Sequence, residues 1–322
     1  MKKIVILLLA LLLTGCGAPE PGPETEDTVP MTTVAQETID IRQEAEAMTQ
    51  PPPPAVSVVL VPEAPGTTEI RCAEAVVDVS HKEEGYIMVR YLEETDRKLK
   101  VLLQGPTTRY SYDLTPGEWS VLPLSDGNGS YEAGIYIHVV DKKYATVMTA
   151  AFCVELTDEF APFLRPNQYV NYTEATEAVA LGAEITAGIG DDLHKVAAVY
   201  DYVVSNIRYD HQRAATVKSG YLPDLDQVLE EKKGICFDYG ALMTAMLRSQ
   251  EIPCKLVVGY AGKTYHAWIS VWTREAGWID GAIFFDGSVW HRMDPTFASS
   301  GAGDPDILEF MQSGNYTAKY LY

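Results

Sequence analysis

Gly234-Ile235-Cys236-Phe237-Asp238-Tyr239-Gly240 is the stretch on which the reading of this chain turns. Its cysteine opens an apolar-periodic run through Leu242, Met243, Met246 and Leu247 to Ser249. That spacing predicts a helix of about 14 residues, about 21 Å long. Ile252-Pro253 breaks it, and Lys255 to Tyr260 reads as a strand. About seven residues at roughly 3.3 Å each retrace about 23 Å, back to the level of Cys236. After a turn at Gly262-Lys263, His266 is among the first residues of the next strand, which runs out through Trp272. The segment Ser288 to Asp294 is then expected to return antiparallel to that strand and to set Asp294 beside His266.

A thiol, an imidazole and a carboxylate in this order are the parts of a nucleophilic site, with Cys236, His266 and Asp294 as the candidate catalytic residues. A thiolate attacks a carbonyl carbon, and a helix start favours thiolate through its unpaired N–H groups and positive dipole end. An imidazole serves as base and then acid, and a carboxylate on its other nitrogen holds the tautomer. N–H groups of the first turn can receive an oxyanion.

The surrounding motifs resemble the transglutaminase-like superfamily of papain-like cysteine enzymes. They are Asn206-Ile207-Arg208-Tyr209-Asp210, Lys233-Gly234-Ile235-Cys236, Leu247-Arg248-Ser249-Gln250-Glu251-Ile252-Pro253, Val258-Gly259-Tyr260, His266-Ala267-Trp268, and Trp290 before Met293-Asp294-Pro295-Thr296. The resemblance runs over roughly residues 160 to 298 and implies acyl transfer through a thioester at Cys236, with His266 and Asp294 in the roles above. Arg274 to Gly287 departs from the pattern and reads as an added hairpin between the His and Asp strands. No acidic calcium loop is visible, so calcium activation does not carry over, and neither a cofactor nor a metal is expected. Members of the superfamily divide among cross-linking, amide hydrolysis and loss of catalysis.

Location comes from the other end of the chain. Lys2-Lys3 precedes the apolar run Ile4 to Leu13 and then Thr14-Gly15-Cys16. Such a run is too short to span a bilayer and suits a signal-peptide core. Leu13-Thr14-Gly15-Cys16 resembles the bacterial lipobox, which makes Cys16 the lipidated residue and residues 1–15 the signal; the competing reading is an ordinary secretory signal. Residues 16–66, with Pro51-Pro52-Pro53-Pro54, many Thr and Glu and almost no aromatics, read as a disordered tether. The net charge of the whole chain is −20. With the two leader lysines gone the balance is more acidic still, which argues against nucleic acid and against adhesion to anionic lipid.

Residues 67–156 show short alternating strands: Val76-Val79, Tyr86-Arg90, Lys100-Leu103, Tyr110-Tyr112, Gly134-Val140 and Tyr144-Leu156. Turns are marked at Pro116-Gly117, Asp126-Gly127-Asn128-Gly129 and Asp141-Lys142-Lys143. The expectation is an all-β, immunoglobulin-like sandwich. Cys72 and Cys153 fall on its first and last strands and can form a disulfide if those strands adjoin. Residues 157–322 form the catalytic domain, with helices at Thr173–Thr186, Asp191–Ile207, Asp224–Glu231 and, in the tail, Pro305–Gln312. His81, His138, His194 and His211 have no metal-ligand spacing or strand-start placement. His291 is the rival base, but alternation points it away from Asp294. Asp238 supports the helix start, Cys254 is an inert buried thiol, and Tyr316, Tyr320 and Tyr322 pack on the body or line a substrate wall.

The fold class is therefore α+β: a papain-like, transglutaminase-like catalytic domain after an immunoglobulin-like sandwich. The protein so read is a monomer on the outer side of a bacterial membrane, held by its lipid, acting on a protein, peptide or cell-wall peptide. Hydrolysis of an amide is the first reading, protein cross-linking the second, and a non-catalytic scaffold the third.

Overall fold

Period-two alternation organises the first half of the structure. The computed structural model describes residues 55–274, 276–280, 283–285, 290–292 and 316–322, which lie in one compact unit. Cys16, Asp294 and the tail helix expected at Pro305–Gln312 fall outside the described residues. Eight strands come first: β1 (Glu69–Arg71), β2 (Ala75–Asp78), β3 (Tyr86–Tyr91), β4 (Leu99–Gln104), β5 (Arg109–Leu114), β6 (Ser120–Pro123), β7 (Gly129–Val140) and β8 (Lys143–Val154). They form two antiparallel sheets, ordered β1-β2-β3-β6 and β5-β4-β7-β8. Leu99, Val101 and Leu103 of β4 and Tyr110, Tyr112 and Leu114 of β5 are buried while their neighbours alternate outward. Their inner face shares a core with Val77, Ile87, Val89 and Leu122 of the first sheet. At about 1.5–3 kcal/mol for each fully buried large apolar side chain, this face is what holds the two sheets together. The long β7–β8 hairpin turns through Asp141, which takes a left-handed φ of 54°.

Helices dominate the second half. They are α1 (Glu177–Ile185), α2 (Asp192–Asn206), α3 (His211–Thr216), α4 (Leu225–Glu231) and α5 (Cys236–Arg248). The expected N-caps act as such: Asp191 accepts from His194 N–H at 3.0 Å and Asp224 from Gln227 N–H at 3.1 Å. Asp210 does the same for α3, a helix the sequence reading did not find, by accepting from Arg213 N–H at 2.8 Å. A two-residue parallel bridge, β9 (Arg208–Tyr209) with β10 (Lys233–Gly234), brings the chain to α5. Every residue of α5 from Asp238 to Arg248 is buried. A helix apolar on all sides is stable only inside a core, and α1, α2 and α4 pack round this one on one side and a sheet on the other.

That sheet contains β11 (Cys254–Ala261), β12 (Thr264–Thr273), β13 (Gly277–Asp280) and, at its other edge, β16 (Tyr316–Leu321). Its order is β13-β12-β11-β16, antiparallel throughout. Between β13 and β16 in sequence, β14 (Ile283–Phe285) and β15 (Trp290–Arg292) pair with each other. Two expectations change here. The segment Arg274 to Gly287 does not fold back on itself as one hairpin, because β13 pairs with β12 and β14 with β15. Nor, among the described residues, does the strand before Asp294 pair with the His266 strand: β15 pairs with β14, and β13 takes Ser270–Thr273 of β12.

The tether is shorter than its composition suggests. Residues 55–66 are placed, and Ala55 N–H donates to Ala183 O at 3.0 Å, Val58 N–H to Ser249 O at 2.8 Å, and Gly66 N–H to Asp78 Oδ2 at 2.7 Å. This strap runs extended from the ends of α1 and α5 to the first sheet of the β-rich region. At the far end, the buried guanidinium of Arg248 donates to Cys254 O at 2.7 Å and Tyr322 O at 2.8 Å, as well as to Arg165 O. The Tyr322 ring packs 5.7 Å from Tyr110, 6.1 Å from Tyr112 and 4.1 Å from Tyr169. The terminal tyrosines thus join the β13-β12-β11-β16 sheet to the β-rich region, and the packing reading of the tail holds for Tyr322.

Candidate active site

Cys236 is the first residue of α5, half-buried, after Ile235 in extended backbone at φ −100° and ψ 177°. The first turn is tied from inside. Asp238, fully buried, accepts from Ile235 N–H at 2.8 Å and from Tyr221 O–H at 2.7 Å, with Arg213 Nη1 3.7 Å away. The isoleucine has no side-chain acceptor, so this is the reciprocal half of a capping box. Burial raises the Asp238 pKa, opposed by the Ile235 N–H, Tyr221 and Arg213. Gly234 is needed beneath it: a methyl there would stand 2.7 Å from Asp238 Cβ. The expectation that Asp238 supports the helix start agrees with this geometry. Tyr221 and Arg213, which hold it, carried no sequence signal because they lie on separate segments.

Three contacts set the level of His266 against α5. Arg248 Nε donates to Cys254 O at 2.9 Å, and Cys254 pairs with Val271. One methyl added to Gly240 would meet Leu256 Cδ1 at 2.6 Å and Trp268 O at 3.7 Å. The helix therefore runs alongside β12 in the same direction. From Gly240 back to Cys236 is about 6 Å of helix, and from Trp268 back to His266 about 6.6 Å of strand. Cys236 and His266 come to the same end of the sheet. Tyr265 has its phenol pKa raised by partial burial.

The faces differ. Ala267, Ile269 and Val271 share the α5 core with Leu256 and Val258. His266, buried at 5% exposure, lies on the opposite face, with Trp268 stacked at 6.3 Å and Tyr316 at 6.4 Å. Tyr316 and Trp268 meet edge-on at 5.2 Å. On the α5 side of this end stand Tyr260 and Tyr265, exposed at 40% and 56%, with rings 5.5 Å apart. Their pairing across the Gly262-Lys263 turn was legible from the hairpin, though sequence reasoning assigned them nothing.

The remaining candidates separate clearly. Cys254 sits at the far end of α5, fully buried, and burial pushes its thiol up to about 11. His291 belongs to β15, opposite Phe284. Cys72 and Cys153 are free thiols, contrary to the pairing allowed for them. Cys72 follows β1 in one sheet and Cys153 lies in β8 of the other, where it faces Ser130 Oγ at 3.8 Å. The first and last strands of the β-rich region are split between the two sheets and do not pair.

Residues 179–295 match the family model of the transglutaminase-like superfamily, over about a third of the chain. The Cys236–His266 segment is thus transglutaminase-like. The uncharacterised protein YebA of Bacillus subtilis is 29% identical over 118 residues, 31% of this chain and 16% of that protein. The chain therefore spans under a fifth of the relative's length. Among solved structures, a presumed cysteine protease from Cytophaga hutchinsonii is similar at 15% identity and a TM-score of 0.37, over 74% of this chain and 83% of that one. Red sea bream transglutaminase is similar at 12% identity and a TM-score of 0.30, over 70% of this chain and 53% of that one.

Proposed function

We propose that this protein is a cysteine acyl-transfer enzyme that hydrolyses amide bonds of peptides or cell-wall material through a thioester on Cys236. The observation that carries the reading is a cysteine at the start of a helix that is buried from Asp238 to Arg248 and whose first turn is braced by Asp238, with His266 at the same end of the sheet. In the mechanism, His266 keeps Cys236 as thiolate, the thiolate adds to the carbonyl carbon, and first-turn N–H groups receive the oxyanion. Collapse expels the amine, protonated by His266, and water then releases the acid and regenerates the thiol. Asp294 orients the imidazole. The reading requires the imidazole to reach the thiol around the end of β12.

The β-rich region supports an immunoglobulin-like reading through its strand order: β2-β3-β6 in one sheet against β5-β4-β7-β8 in the other, with β1 added at the edge. Lys2-Lys3, the apolar run to Leu13 and Cys16 support a lipid-anchored, extracytoplasmic protein. Incubation with a peptide library and a labelled primary amine tests the chemistry. Cleavage without amine incorporation is the expected result, incorporation without cleavage would replace hydrolysis by cross-linking, and neither would remove the enzymatic reading. His266→Ala should abolish turnover, and Asp294→Asn should lower it on the order of a hundredfold or more.

A further inference from the structure

The end of the β13-β12-β11-β16 sheet that holds His266 is built from two short segments, residues 259–266 and 316–320. They contain Lys263 and Lys319 and no Asp or Glu. At the chain's average of 45 acids in 322 residues about two would be expected there, so this end reverses the sign of a protein whose net charge is −20. Asp238, the acid at the start of α5, is buried against Ile235 N–H, Tyr221 and Arg213. Asp210 is paired with Lys233 at 3.0 Å.

Both lysines are placed by the backbone. Lys263 sits at the tip of the β11–β12 hairpin, after Gly262 at a φ of 60°. Lys319 is the extra residue of a β-bulge: Val258 pairs with Tyr320 and Gly259 with Ala318, which leaves Lys319 between them. A bulge re-aims a side chain, and Gly259 permits this one, since a Cβ there would collide with Thr317 O. Lys319 Nζ stands 5.1 Å from the centroid of the Tyr320 ring and donates to the Tyr320 hydroxyl, which leaves two of its three N–H groups. Both lysines are exposed, and neither has an ion-pair partner among the described residues. Tyr320 lies opposite Val258, so it shares the α5 face with Tyr260 and Tyr265. Those two exposed phenols bring O–H donors and ring surface to the same end.

We propose that this cationic, tyrosine-lined end is the mouth of the Cys236 site and that it takes an acidic peptide, one with carboxylates flanking the amide that reacts. The inference rests on the acyl-transfer reading and names the substrate class of that site. The charge of the whole chain points the other way, toward basic partners. Salt, however, screens charges farther away than about 8 Å at physiological ionic strength. Lys263, Lys319 and the phenol hydroxyls are the groups that meet a bound peptide at close range. An exposed ion pair is worth up to about fivefold in affinity. Two lysines therefore supply a preference rather than an absolute requirement.

The test is calorimetric titration of the Cys236→Ser protein, so that no turnover intrudes, with three acetylated alanine-based hexapeptide amides. The three differ only in carrying two Glu, two Gln or two Lys. Saturable binding of the Glu peptide is expected at concentrations up to about 10 mM, about fivefold or more tighter than the Gln peptide, with the Lys peptide weakest. The preference should fade between about 0.1 and 1 M salt, as the screening length drops from about 10 to about 3 Å. Lys263→Gln with Lys319→Gln should bring the Glu peptide to the level of the Gln peptide and leave thermal stability unchanged, because both side chains are exposed. No binding of the Glu peptide, equal binding of all three, tighter binding of the Lys peptide, or a preference that survives the double substitution would each overturn the proposal. Failure of wild type to turn over any peptide, with this preference intact, would defeat the enzymatic reading and leave the acidic-peptide site standing.

Discussion

Replacing Asp238 by alanine and by asparagine asks how the Cys236 helix is started. Alanine strips the acceptor from the buried Ile235 N–H at 2.8 Å and from Tyr221 O–H at 2.7 Å. Hydrogen bonds to a charged group are worth about 1.5–3 kcal/mol each, a gross loss of about 3–6 kcal/mol. Part is returned, because the carboxylate's pKa is raised by burial and its charge opposes folding at neutral pH. Arg213 is not stranded, since Glu231 Oε2 remains 3.0 Å from its Nη2. The net expectation for Asp238→Ala is a loss of about 2–4 kcal/mol. Asparagine keeps an oxygen for Ile235 and offers an N–H to the Tyr221 oxygen, and it carries no charge to bury, so Asp238→Asn should cost under about 1 kcal/mol. The pH dependence has a definite sign. A carboxylate with a raised folded-state pKa contributes stability below its ordinary value of 3.8, and that contribution is lost as pH rises through the folded-state value. The advantage of wild type over Asp238→Asn should therefore shrink from acid toward neutral pH. Urea unfolding of the three proteins at several pH values measures all of this. Equal losses for alanine and asparagine, or a wild-type advantage that grows with pH, would refute the reasoning.

Iodoacetamide mapping near neutral pH should modify Cys236 far faster than Cys254, whose thiol is buried and pushed up to about 11; equal rates would remove Cys236 as the activated thiol. Limited proteolysis of the membrane fraction should cut before Ala55 rather than anywhere up to residue 66, because the strap is hydrogen-bonded to Ala183 and Ser249, and the released body should keep its fold. Cys16→Ser should abolish lipid incorporation, read by mass spectrometry of the mature N-terminus. Acid should weaken the fold through Asp191 and Asp210, whose pKa values are held down by backbone N–H groups of their helices. Their contribution is complete above the ordinary 3.8 and is lost as pH falls through the folded-state values, so Asp210→Asn should flatten the acid limb of a stability profile.

Local chemistry made much of this protein legible before any fold was known. Asp191 and Asp224 before apolar-periodic runs, Pro253 after α5, and Gly262-Lys263 between two strands each dictate backbone conformation within a few residues, so those boundaries could be read directly. The same holds for Cys236 at a helix start, since the break, the strand length and the turn together return the chain to its level. Tertiary structure decided the rest. Which strand pairs along Ser270–Thr273 of β12 depends on competition among segments, and β13 takes it while β15 pairs with β14. Residues 55–66 end a Pro-, Thr- and Glu-rich stretch that reads as a tether, yet partners more than a hundred residues away order them, as in Ala55 with Ala183. Tyr221 and Arg213 meet Asp238 only because three separate segments converge. Interactions of short range are written in the sequence as spacing, whereas those that need two distant surfaces to meet are set by the packing of the whole.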